Sequence, residues 1–72
     1  MKVLIVGSGG REHSLAEAFA RDINKSDIYV APGNGGIALD YKCLPLRSKE
    51  EIVKWCRENH PELVMVGPEQ YL

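Results

Sequence analysis

No stretch of the chain approaches the roughly 18–20 consecutive apolar residues that cross a bilayer. The opening MKVLIV holds one lysine and five apolar residues and then runs into glycine, so a secretory leader is not expected. Cysteine is scarce: the two residues, Cys43 and Cys56, lack CxxC spacing. Neither a metal site nor a disulfide framework is expected from them, and each reads as a reduced thiol in a cytoplasmic protein. An excess of charge of one sign is also missing. Nine Lys and Arg face ten Asp and Glu for a net charge of −1, with no run of like charge. That balance leaves no electrostatic case for nucleic acid or an anionic membrane surface. At 72 residues the chain is shorter than the typical domain of about 100–150. A chain of this size buries only about 60–65% of its unfolded surface, so its core is thin.

The composition that remains, 44% apolar and 26% charged, is that of an ordinary globular protein. Val3 to Val6 is an unbroken aliphatic run and reads as a strand buried on both faces. From Arg11 to about Asp22 the spacing becomes helical, with Leu15, Ala16, Ala18, Phe19 and Ile23 on or beside one face. Arg11, Glu12, Glu17, Arg21 and Asp22 take most of the opposite positions. Ile28 to Ala31 is a second short strand, stopped by the loop signal Pro32-Gly33-Asn34-Gly35-Gly36. Tyr41 to Leu46 reads as a weak third strand that Pro45 confines to an edge or an end. Ser48 and Glu51 match a capping box. The helix that follows turns Ile52, Val53, Trp55 and Cys56 inward and ends before Pro61, with His60 as its cap. Leu63 to Val66 is the last strand. Alternating strands and helices with short connections predict an α/β fold, a Rossmann-like open, mainly parallel sheet with right-handed crossovers.

All three glycine-containing loops follow strands. In a parallel open sheet the C-terminal strand ends share one edge, where ligands bind. Gly7–Gly10, Pro32–Gly36 and Gly67–Glu69 are therefore expected to converge on one candidate site. In the first loop, GSGGRE matches two positions of the dinucleotide fingerprint G-x-G-x-x-G, but Glu12 stands where the third glycine allows close helix–strand packing. No carboxylate follows the second strand to hold a ribose, and no G-K-[ST] follows the glycines. A nicotinamide or flavin cofactor is disfavoured. A single phosphate on the helix start, with Arg11 as a second anchor, fits better. A turn without a ligand remains open for this loop. For the second loop, plain turn chemistry at Asn34 remains open, and for the third a solvent-exposed acid at Glu69. His13 reads as a packing or surface residue, with a general base as the alternative.

Taken together, VLIVGSGGREHSLA, VAPGNGG and VGPE resemble the N-terminal segment of the glycinamide ribonucleotide synthetase (phosphoribosylamine–glycine ligase) family. The resemblance covers the whole chain. It implies a pre-ATP-grasp domain, or a part of one, over residues 1–72. It implies a parent enzyme that joins glycine to 5-phosphoribosylamine, with ATP and Mg²⁺, in de novo purine synthesis. The glycine carboxylate would be activated as an acyl phosphate and attacked by the amine. By the same resemblance, Gly9, Gly10, Arg11 and Glu12 hold the sugar phosphate or lie near it. Asn34 and Gly35 line the ribose side, and Glu69 faces the sugar or its amine. No catalytic or metal-binding residue is implied in this segment. One departure stands out: the family's usual GPEAPL is Gly67-Pro68-Glu69-Gln70-Tyr71-Leu72 here.

No nucleotide loop or metal carboxylates of an ATP-grasp domain are present in the 72 residues. The chain is thus expected to be the inactive opening piece of a longer ligase, whose remainder is its partner. By itself it would expose a sheet edge and is expected to be marginally stable or to self-associate. The alternatives are a non-catalytic α/β module that binds a nucleotide or a protein, and a minimal Rossmann-type cofactor domain.

Overall fold

The structure is a computed structural model and describes residues 1–7 and 9–66. Four strands form one parallel sheet in the order β3-β2-β1-β4. They are β1 (Val3–Gly7), β2 (Ile28–Pro32), β3 (Lys42–Cys43) and β4 (Leu63–Val66). Helix α1 (Gly10–Phe19) links β1 to β2, the short α2 (Gly35–Ala38) links β2 to β3, and α3 (Lys49–Asn59) links β3 to β4. The chain moves outward from β1 to β3 and then returns to the other side of β1. The β1/β4 boundary is therefore the point where the direction of winding reverses.

The unbroken apolar run of β1 is explained by this position. Val3, Leu4, Ile5 and Val6 are all buried, because β1 has a strand on each side and helices on both faces. Alternation divides them between two cores. Val3 and Ile5 join Ala16 of α1, Ile28 and Val30 of β2, and Ile37 and Tyr41. Leu4 and Val6 join Ala31, with Ile52, Trp55 and Cys56 of α3 packed against them. Trp55 also meets Tyr29 with ring centroids 5.1 Å apart. The start of β4 is held level with β1 by a backbone bond from Glu62 N–H to the Lys2 carbonyl, 2.8 Å. Lys2 N–H donates in return to Glu62 Oε1 at 3.0 Å.

The ends of α3 form as the sequence predicts. Ser48 Oγ accepts from Glu51 N–H at 3.1 Å, and Ser48 N–H donates to Glu51 Oε1 at 3.0 Å. At the other end His60 adopts the left-handed conformation, φ 50°, and its N–H donates to the Cys56 carbonyl at 2.8 Å. Helix α1 is shorter than its periodicity suggests: it stops at Phe19, and Asp22 N–H and Ile23 N–H both turn back to the Phe19 carbonyl at 3.0 Å. The predicted loop Pro32–Gly36 runs into an unexpected helical turn. Asn34 Oδ1 accepts from Ile37 N–H at 3.0 Å, and the buried Ile37 side chain anchors that turn in the core. The third strand is reduced to Lys42–Cys43 at the sheet edge, with Pro45 just beyond it.

Two expected side-chain directions differ. Glu12 is buried instead of facing outward, for reasons given below. Val53, expected inward, is 40% exposed. It lies on the side of α3 that faces β4, whose Val64 and Val66 are 39% and 54% exposed. Among the described residues no strand pairs with the outer edge of β4.

The capping box generates a pH-dependent prediction. Hydrogen bonds from the backbone N–H groups of Arg47 and Ser48 hold the Glu51 carboxyl below the usual carboxylate range. Its contribution is therefore complete above the unfolded pKa and is lost as pH falls through the depressed folded one. In urea titrations, the difference in stability between the wild type and Glu51→Gln should be constant down to about pH 5 and shrink below it. Ser48→Ala should cost about 1 kcal/mol at neutral pH.

Candidate functional site

The C-terminal ends of the strands bring the glycine-rich loops together. Gly7 pairs in register with Pro32, and Val6 lies between Ala31 and Val66. The second loop is tied to the first by Gly33 N–H, which donates to the Gly7 carbonyl at 3.0 Å. Gly33 has φ +69°, and a Cβ there would collide with Cys43 Sγ, so the close approach of this turn to β3 requires glycine. Gly67, Pro68 and Glu69, the third predicted part of the site, lie outside the described residues.

Helix α1 opens directly on this edge. Gly9 is its N-cap in an extended conformation, φ −101°, and no side chain caps the helix. The first-turn N–H groups and the positive end of the helix dipole are thus left for a ligand or solvent. A Cβ on Gly10 would meet nothing within 4 Å, and Gly10 and Arg11 are both exposed. Arg11 can therefore swing its guanidinium over the helix start. Across the edge, Asn34 and Gly35 are exposed as well, although Asn34 Oδ1 is engaged as the N-cap of α2.

Glu12 is the residue whose placement differs from expectation. It is 1% exposed, and its side chain folds back beneath the β1–α1 turn. A Cβ on Gly7 would collide with its Cγ, Cδ and Oε1, and Gly7 itself has φ +152°. A Cβ on Gly9 would stand 3.3 Å from Glu12 Oε2. That oxygen is buried and has no hydrogen-bond partner among the described residues. The signal for this burial was in the fingerprint. The third glycine there is small because its position faces the strand end, so any residue at position 12 faces it too.

His13 packs against the core. Its ring meets Tyr41 edge-on, with centroids 6.1 Å apart. Its Nε2 is buried and unpartnered among the described residues. Burial and the nearby charges of Glu17 and Asp40 push the Tyr41 phenol up. Cys43 and Cys56 are free thiols, and burial raises the Cys56 pKa. Among the described residues no group of His, Cys, Asp and Glu could hold a metal ion. No helix among them is long and apolar enough to cross a membrane.

A parallel sheet with a glycine-rich turn feeding an uncapped helix at the winding reversal defines a Rossmann-like α/β unit whose ligand edge is the C-terminal one. Within that class, the chain belongs to the family described as phosphoribosylglycinamide synthetase, N domain, whose model matches residues 1–72. It is 45% identical over 71 residues to a phosphoribosylamine–glycine ligase of Clostridium acetobutylicum, covering 96% of this chain and 17% of that protein. The ligase of Rhizobium meliloti gives the same identity and the same coverage, 45%, 96% and 17%. A trifunctional purine biosynthetic protein adenosine-3 of Drosophila melanogaster is 42% identical over 78 residues, covering 99% of this chain and 6% of that protein. The chain thus spans about a sixth of the ligases it matches, 17% of their length.

The packing of Glu12 on Gly7 can be tested by substitution. Gly7→Ala forces a Cβ into the Glu12 side chain at a backbone angle that disfavours it, and should destabilise the fold by about 1–3 kcal/mol. Adding Glu12→Ala should recover part of that loss, so a double-mutant cycle in urea should show coupling between the two positions.

Proposed function

We propose that this chain is the substrate-binding N-terminal part of an ATP-dependent ligase that joins glycine to 5-phosphoribosylamine in purine biosynthesis. The observation that carries this reading is the uncapped start of α1 at the C-terminal sheet edge, with Arg11 exposed beside it. Such a helix end suits one phosphate group. Family membership supports the phosphate being that of the phosphoribosyl substrate. In this reading the N–H groups of Gly10 and Arg11, the Arg11 guanidinium and the free approach over Gly9 and Gly10 hold the phosphate. Asn34 and Gly35 line the ribose side. Glu69 meets the sugar or its amine.

The part played by these residues is to bind and orient. They fix the phosphate end of the substrate, so that its amine is presented to an activated glycine. No proton transfer or bond-breaking step is assigned to them. In this reading ATP and Mg²⁺ are held by the remainder of the ligase. The segment alone is accordingly inactive, and the whole enzyme works in the cytoplasm. Among the described residues the outer edge of β4 is unpaired, which supports self-association of the isolated chain.

The reading is tested by titrating ribose 5-phosphate into the isotope-labelled chain. The amides of Gly9, Gly10 and Arg11 should shift at millimolar ligand, and NAD should produce no saturable change. Arg11→Ala should weaken ribose 5-phosphate binding roughly tenfold, as expected for loss of a charge-assisted contact. The absence of any shift at these amides would contradict the reading.

A further inference from the structure

We draw no further inference here: the strongest candidate, the apolar face that Val53 of α3 and Val64 and Val66 of β4 present beside the outer edge of the sheet, carries nothing because nothing in the structure shows what covers it.

Discussion

The Glu12 side chain fills the space that a Cβ on Gly7 would occupy, so position 7 is restricted to glycine. Gly7 takes a backbone angle of +152°, one that glycine adopts without strain. Gly9 follows as an N-cap with no side chain, which leaves the helix start uncapped. The second loop is positioned by the same turn, because Gly33 N–H bonds to the Gly7 carbonyl.

That turn is held in place by a strand with no solvent-facing side. β1 is buried on both faces and paired on both edges, so its C-terminal end is the best-anchored point of the sheet. The two helices that cover it do so differently. Helix α1 packs against Val3, Ile5, Ile28 and Val30. Helix α3 covers Leu4 and Val6 with Ile52, Trp55 and Cys56. The site lies above the strand most tightly held, while the open surface lies at β4. Burial at the centre of the sheet and exposure along β4 both follow from the strand order.

Much of this was legible in the sequence because it depends on local signals. The apolar run of β1, the capping box at Ser48 and Glu51, and the helix end at His60 before Pro61 each rest on chemistry within a few residues. The convergence of the first two loops followed from the alternation of elements alone. What escaped depended on tertiary contacts. Helical periodicity sends Glu12 to solvent, whereas proximity to the end of β1 draws it inward. Val53 fits an inward face, yet the edge strand beside it leaves it exposed. The turn at Gly35–Ala38 is too short to show a period and is held by one buried isoleucine and one asparagine cap. Glu69, chosen from the family resemblance, falls outside the described residues and gains no geometry here.

The most direct measurement is a crystal structure with ribose 5-phosphate bound. The phosphate is expected within hydrogen-bond distance of the first-turn N–H groups of α1, with Arg11 folded over it. A ligand seated away from the start of α1 would contradict the role given to this helix start.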